Sequence, residues 1–239
     1  KRPPGNQVVK DSEAWDYYSD LKFDVILTNP PFAGEIRDRD LLKKYKLTAK
    51  SGHFTFEVFD HSPDLVAEIA RKFGMSLVVI PWINPEDRPT TAAGWQAIGA
   101  RLASYTEDMK QRGLTFAYHN HEFEMAPLPD GSYPIEHLLG DTVPFEPDVA
   151  WIVVGKADPL FWLKKYAGRI PAVHVKDVAP AGEALDEKGF ADLGHGTLDW
   201  QTLWDASVEA GSQLMIVEHD LPSDWQRFAR RSIATMKTI

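Results

Sequence analysis

The feature that most constrains the fold is the alternation of short apolar runs and amphipathic segments from about residue 62 onward. The run SLVVIP shows no polar alternation, as expected of a strand that is covered on both faces. The segment after it places Trp95, Leu102 and Met109 on one helical stripe and stops at Gly113. Repeated strand–helix units of this kind predict an α/β fold with parallel strands, either a doubly wound sheet or a barrel.

Polar residues at the ends of successive predicted strands favour the barrel. His119, Asp148, His174 and Glu218 close the runs LTFAYH, VPFEPDVAW, PAVHVKD and QLMIVEHD. In an α/β barrel the C-terminal ends of all strands open on one face, so these side chains are expected to converge. The sequence therefore predicts a (β/α)₈ TIM-type barrel. Fewer than the eight strands of such a barrel are recognisable, so we expect its first strands to be lacking.

The same residues are suitable ligands for a metal ion. Carboxylates such as Asp148 and Glu218, together with the imidazole of His174, suit a divalent cation such as Mn²⁺, Mg²⁺ or Zn²⁺. Taken singly, each is as readily explained as a rim residue that a neighbour satisfies. Because they occur at successive strand ends, we predict a shared site.

Four blocks of the sequence carry a resemblance to a known family. FAYHNHEFEM, PDVAWIVVGKADPLFWLKKYAGRIPAVHVKD, GHGTLDW and VEHDLPSDWQRFARRSI resemble the xylose isomerase-like family of sugar phosphate isomerases and epimerases. The resemblance extends over roughly residues 51–239 and implies a divalent metal ion (Mn, Mg, Zn or Co) with ligands in the order Glu, Asp, His, Glu. Asp148, His174 and Glu218 match the last three ligands. His119 stands where most family members have the first glutamate.

The resemblance implies proton transfer beside a metal-polarised carbonyl group, on a sugar, sugar phosphate or cyclitol. In the family's epimerases and ketose isomerases, two metal-bound glutamates move this proton. Glu218 is expected to be one base, and His119 either binds the metal or serves as the second base. Because a histidine replaces the first glutamate, a dehydratase or a one-base isomerase is as well supported as an epimerase.

Further residues are candidates for substrate binding. His121 and Glu124 share the HNHEFE loop and are expected to bind substrate hydroxyl groups, although His121 could instead support the metal ligands. Lys176 lies two residues after His174 and suits a phosphate or carboxylate, or alternatively a salt bridge to a rim acid. His195 lies between glycines, where the backbone can approach a ligand.

The first fifty residues follow a different pattern. FDVILTNPPFAGEIRDRDLLKKY resembles motif IV of N6-adenine DNA methylases, specifically the type I restriction modification subunits. The resemblance implies that Asn29 and Pro30 accept hydrogen bonds from adenine, that Pro31 completes the motif and that Phe32 stacks on a flipped base. The Gly-rich loop for S-adenosylmethionine is missing before residue 23, so methylase activity is not expected. The alternative is an Asn-Pro-Pro turn without catalytic meaning.

Two incomplete signatures therefore adjoin near residue 50. We predict a methylase-like fragment over residues 1–50 and an N-terminally truncated barrel over residues 51–239, joined as a chimera. Besides the metal-dependent enzyme, two alternatives stay open. One is a fragment of an N6-adenine DNA methyltransferase, and the other is an inactive barrel that only binds metal or sugar.

The composition limits the classes of partner that the protein is expected to bind. The net charge of -9 argues against nucleic acid. The absence of cysteine excludes disulfides, thiolate zinc ligands and thiol catalysis. No apolar run reaches the roughly 20 residues that span a bilayer, and the start KRPPGNQVVK does not resemble a signal peptide. We expect a cytoplasmic protein with a small-molecule sugar partner and no membrane, and the oligomeric state stays open.

Overall fold

The computed structural model describes residues 48–239. These residues form two compact units, one of residues 48–80 with Met109–Thr115 and the other of Pro81–Asp108 with Phe116–Ile239. The methylase-like motif of Asn29, Pro30, Pro31 and Phe32 lies outside the described residues. The division near residue 50 and the chimeric join therefore stay predictions.

In the first unit, two strands are connected by two helices: β1 (Ser51–His53), α1 (Phe56–His61), α2 (Pro63–Phe73) and β2 (Leu77–Ile80). The strands pair in parallel, with Gly52 opposite Val78. Helix α2 begins with a proline at its first position and ends before Gly74, whose φ of 76° lies in the left-handed region that glycine adopts without strain. Strand β2 confirms the strand predicted from the run SLVVIP.

The elements that follow along the chain continue the alternation of helices and strands. They are α3 (Ala92–Gln111), β3 (Thr115–His119), α4 (Pro134–Leu139), β4 (Phe145–Glu146), α5 (Val149–Val154), α6 (Pro159–Lys165), β5 (Ala172–Val175), β6 (Asp177–Val178), β7 (Phe190–Ala191), α7 (Trp200–Glu209), β8 (Leu214–Val217) and α8 (Trp225–Met236).

Parallel pairing in the second unit places several strand ends along one edge. Strand β3 pairs with β4 and β5 pairs with β8, both in parallel. A parallel bridge between Asp148 and His174 links the segment after β4 to β5, and the backbone N–H of His174 donates to the carbonyl of Pro147. Because these strands run in the same direction, the residues at their C-terminal ends lie close together.

One predicted strand is shorter than expected. The segment VPFEPDVAW was predicted to be a strand, but only Phe145–Glu146 is extended, and helix α5 starts at Val149. The physical reason is Asp148, whose Oδ1 accepts a hydrogen bond from the backbone N–H of Trp151 at 3.0 Å and caps the helix. The antiparallel hairpin of β6 and β7 is a further element that the strand–helix pattern did not predict.

The core of the second unit is aromatic and aliphatic. Strand β5 is buried along its whole length, as are Phe116, Tyr118, Phe145 and Trp162. Within residues 48–239, no helix combines the length and the hydrophobicity that a membrane crossing requires. The cytoplasmic location stays a prediction.

Helices α3 and α4 approach closely at Gly99. A β-carbon on Gly99 would lie 2.1 Å from the carbonyl oxygen of His137. We therefore expect Gly99→Ala to lower the free energy of unfolding by about 1–3 kcal/mol, although alanine is intrinsically the better helix former.

Urea denaturation measures this loss. The control is Ala97→Gly, at an exposed position of the same helix, which should cost about 1 kcal/mol through helix propensity alone. A Gly99→Ala variant as stable as the wild type would contradict the close approach.

Candidate metal centre

The structure brings together the four strand-end residues that the sequence singles out. His174 Nδ1 lies 3.7 Å from Glu218 Oε2 and 3.9 Å from Asp148 Oδ2. His119 Nε2 lies 4.0 Å from the same Asp148 oxygen. The side chains of His119, Asp148 and His174 are at most 2% exposed, whereas that of Glu218 is 17% exposed. The site is therefore a buried cluster with one carboxylate partly open.

Asp148 is fixed in this cluster from two sides. Its backbone N–H donates to Oδ1 of the buried Asn120 at 2.9 Å, and its own Oδ1 caps helix α5. The second carboxylate oxygen, Oδ2, is left to face His174 and Lys176. Burial raises the pKa of Asp148, and the nearby Lys176 ammonium opposes this rise.

Lys176 is the central cation of the cluster. It is 1% exposed, and its Nζ lies 2.5 Å from Glu218 Oε2, 2.9 Å from Asp148 Oδ2 and 3.2 Å from Asp220 Oδ1. Burial acts to lower the pKa of Lys176, but the surrounding carboxylates raise it above its ordinary value. Burial likewise acts to raise the pKa of Glu218, while Lys176 and His174 hold it well below its usual range. Both groups are therefore charged at neutral pH.

Sequence reasoning missed two carboxylates of the site, Glu146 and Asp220. Oε1 of the fully buried Glu146 lies 3.1 Å from His174 Nε2 and 3.5 Å from His119 Nδ1. Each missed residue lies two positions from a predicted ligand, Glu146 before Asp148 and Asp220 after Glu218. The two-residue period of an extended chain is the signal that could have found them, because it places alternate side chains on one side.

Burial and charge act in opposite directions on His174. Burial acts to lower its pKa, but the carboxylates of Glu146 and Glu218 raise the pKa of His174 to about 10. Carboxylates therefore lie close to both ring nitrogens of His174. Such an environment favours either a proton or a metal cation on the ring.

The residues present fit a divalent cation. The candidate ligand atoms of Asp148, His174 and Glu218 all lie within 4.8 Å of one another. Ligand atoms about 2.1 Å from one ion are separated from each other by roughly 3–4 Å, which matches the distances at His174 Nδ1. The four carboxylates of Glu146, Asp148, Glu218 and Asp220 also outnumber the two positive groups that face them, Lys176 and His174, so a further cation would offset their charge.

Glu124 fixes the turn that follows β3. It is fully buried, its Oε1 accepts a hydrogen bond from the Tyr118 hydroxyl at 2.6 Å, and its Oε2 accepts one from the backbone N–H of His121 at 2.8 Å. Burial raises the pKa of Glu124 to about 7, although both hydrogen bonds oppose the rise. Both carboxylate oxygens of this predicted substrate-binding residue are therefore engaged within the protein, one of them with the backbone of His121.

His121 lies beside the cluster among aromatic rings. Its ring centroid lies 4.8 Å from that of Trp82, 5.2 Å from that of Trp151 and 5.2 Å from that of His119. Burial, assisted by His119 and Lys176, lowers the pKa of His121 to about 2, so the ring is neutral. Within residues 48–239, neither Nδ1 of His121 nor Nε1 of Trp151 makes a hydrogen bond. These atoms can therefore bind a polar ligand.

His195 lies on a loop that Asp177 organises. The Asp177 carboxylate accepts hydrogen bonds from the backbone N–H groups of Gly194, Gly196 and Leu198 at 2.9–3.2 Å. A β-carbon on Gly196 would lie 2.2 Å from Asp177 Oδ1, which explains the glycine. His195 itself is exposed and lines a surface cavity of about 360 Å³. Asp148, His174 and Glu218 do not line this cavity, so the structure does not bring His195 into the cluster.

Comparison with known proteins places this geometry in context. No protein-family model matches the chain. Inosose dehydratase from Lacticaseibacillus casei is 23% identical over 240 residues, covering 87% of this chain and 72% of the relative. Two solved structures are also similar. A sugar phosphate isomerase/epimerase from Parabacteroides distasonis has a TM-score of 0.74 at 18% identity, covering 97% of this chain and 94% of that one. IolI protein with a bound zinc atom has a TM-score of 0.68 at 14% identity, covering 97% and 92%.

The fold is thus that of an α/β TIM barrel, as the strand-end pattern predicts. The resemblance to the xylose isomerase-like sugar phosphate isomerases and epimerases is confirmed at the level of this fold. The resemblance of the first fifty residues to a DNA methylase receives no support from the comparisons.

The buried Glu124 makes stability depend on pH. Its folded-state pKa of about 7 exceeds the ordinary value of 4.5, so the folded protein binds more protons than the unfolded chain between these values. Stability from this group is fully present below about pH 4.5 and is lost as the pH rises through 7, by on the order of 3 kcal/mol.

Glu124→Gln should remove this dependence, because an amide resembles the protonated carboxyl group. Urea denaturation between pH 4.5 and 8 should show the variant gaining stability relative to the wild type as the pH rises. A constant difference across this range would show that Glu124 does not titrate as described.

Lys176 should be essential to the metal-free protein. Lys176→Met is expected to lower the free energy of unfolding by about 3–5 kcal/mol in chelator, because it removes the ammonium that pairs with the buried Asp148 and with Glu218. Saturating Zn²⁺ should restore part of this loss.

The control for this measurement is Lys165→Met, since Lys165 pairs with Glu136 at a site where both side chains are about one-third exposed. That pair should contribute less than about 1 kcal/mol. Equal losses in the two variants would contradict a central role for Lys176.

Proposed function

We propose that this protein is a divalent-metal-dependent enzyme that removes water from a small polyhydroxylated carbonyl compound. The observation that carries the proposal is the convergence of Asp148, His174 and Glu218 in a buried cluster where only Glu218 is partly open. The curated relative is named inosose dehydratase, which supports both the reaction and a small sugar-like substrate.

Asp148, His174 and Glu218 would hold the metal, with His119 as the fourth predicted ligand. When bound, the metal ion would act as a Lewis acid on the substrate carbonyl. Asn120 and the cap on α5 hold Asp148 in place, so the ligands need little rearrangement to bind a cation. The zinc atom bound in the structurally similar IolI protein supports a metal at this site.

Glu218 is the base of the proposed reaction. Burial acts against its charge, but Lys176 and His174 keep its pKa low, so it is a carboxylate at neutral pH. It takes the proton from the carbon beside the carbonyl group, and the carbon–oxygen bond of the neighbouring hydroxyl group then breaks. The protonated Glu218 returns the proton to the departing hydroxyl group, and water leaves. One residue therefore suffices, and no oxidant or reductant is needed.

The other polar residues would orient the substrate or its ligands. The neutral His121 and the indole of Trp151 can bind substrate hydroxyl groups through nitrogens that make no hydrogen bond within residues 48–239. Glu124 and Lys176 already have protein partners, so we assign them the support of His121 and Glu218 respectively. His195 stays a predicted substrate contact.

A second candidate is isomerisation or epimerisation of a sugar. It is favoured by His119, whose ring lies 4.4 Å from that of His174 and which occupies the position of the family's first glutamate. His119 would then be the second base. Both reactions start with the same proton removal, and they differ in whether water is lost.

The test uses the full chain, stripped of metal and then loaded with Mn²⁺, Zn²⁺, Co²⁺ or Mg²⁺. It is incubated in D₂O with inosose and a panel of ketoses. We expect metal-dependent loss of water from one substrate, and a decrease in kcat of about 10²–10⁴-fold in Glu218→Gln at saturating metal. The exposed Glu209→Gln should retain full activity.

The products separate the two candidates. Deuterium exchange or a changed sugar without loss of water would favour isomerisation or epimerisation over dehydration. A protein that binds metal but neither exchanges deuterium nor changes any substrate would contradict both reactions for this panel.

A further inference from the structure

Glu146 is a buried carboxylate that the proposed reaction does not use. It ends β4 opposite His119 in the parallel register, and it is 0% exposed. Asp148 follows two residues later, after the strand has ended. A charged group at such a position is costly unless partners compensate it.

This carboxylate lies close to the ring of His174. The two ring nitrogens of His174 face different carboxylates. Nδ1 lies towards Asp148 Oδ2 and Glu218 Oε2, at 3.9 and 3.7 Å, whereas Nε2 lies 3.1 Å from Glu146 Oε1. The ring therefore lies between the proposed metal ligands on one side and Glu146 on the other.

This arrangement selects one form of the imidazole. A neutral imidazole has one N–H group and one lone pair, and a metal ion requires the lone pair. A carboxylate can only accept a hydrogen bond, so Glu146 favours the proton on Nε2. The lone pair of Nδ1 is then directed at Asp148 and Glu218.

We propose that Glu146 is a positioning residue that holds His174 in the Nε2–H tautomer and so raises the affinity of the site for a divalent metal ion. This role rests on the proposed metal site. A carboxylate in contact with a metal-binding imidazole also orients the ring, and loss of such a contact typically weakens metal binding by about 10–100-fold.

The experiment compares Glu146→Gln with Glu146→Asp in the full chain. Glutamine keeps an acceptor oxygen at the same reach but removes the charge. Aspartate keeps the charge but draws the oxygen back by roughly one carbon–carbon bond, about 1.5 Å. The dissociation constant for Zn²⁺ is measured by calorimetric titration against a competing chelator, and the Nε2–H proton of His174 is followed by ¹⁵N-resolved NMR of the Zn²⁺-loaded protein.

We expect Glu146→Asp to weaken Zn²⁺ binding by about 10–100-fold and Glu146→Gln to weaken it less. The Nε2–H signal should be protected in the wild type and in Glu146→Gln, and exchange-broadened in Glu146→Asp. The control is Glu136→Gln, which changes a glutamate outside the cluster that pairs with Lys165. It should leave the Zn²⁺ affinity unchanged.

Other outcomes overturn the inference in distinguishable ways. If the wild type binds no divalent metal, the proposed function itself fails. If it binds metal and both variants match its affinity, the metal site stands and the role of Glu146 fails. If Glu146→Gln loses as much affinity as His174→Ala, then Glu146 is itself a ligand, and the positioning role is wrong.

Discussion

Compensation of buried negative charge is the constraint on which the candidate site depends. Glu146 and Asp148 are fully buried, and Glu218 and Asp220 are largely so. The ammonium of Lys176 pairs with three of these four carboxylates. Buried charges without partners are strongly destabilising, so every position in the cluster is coupled to the others. The excess of carboxylates over positive groups gives the site its capacity for a divalent cation. Stability and metal affinity are thus two consequences of one arrangement.

Asp148 shows how closely the fold and the site are joined. One of its oxygens starts helix α5, its backbone is held by Asn120, and its other oxygen faces His174. The helix cap restricts the side chain to one orientation, which reduces the entropy that a metal ion must overcome on binding. The helix cap that ends β4 early therefore also fixes Asp148 in place as a candidate metal ligand.

The turn after β3 provides a second level of support. Tyr118 and Glu124 form a buried hydrogen bond beneath the turn, and Glu124 also accepts from the backbone of His121. His121 is consequently held among Trp82 and Trp151 as a neutral ring. In the proposed reaction this wall orients a polyhydroxylated substrate, while Glu218 alone moves the proton. Because Glu218 must reach the substrate while the aromatic residues only orient it, Glu218 is the residue of the cluster that is partly exposed.

The sequence by itself determined the alternation of helices and strands, the end of helix α3 before Gly113, and four residues that converge. These features are local, since they depend on hydrophobic period, on caps and on the direction of parallel strands. Only the tertiary structure decided the roles of Glu146, Lys176 and Asp220. These roles depend on neighbours that are far away along the chain, such as His174, 28 residues after Glu146, and Glu218, 42 residues after Lys176. No local pattern specifies which buried carboxylate meets which cation, because that choice is made by the packing of strands against one another.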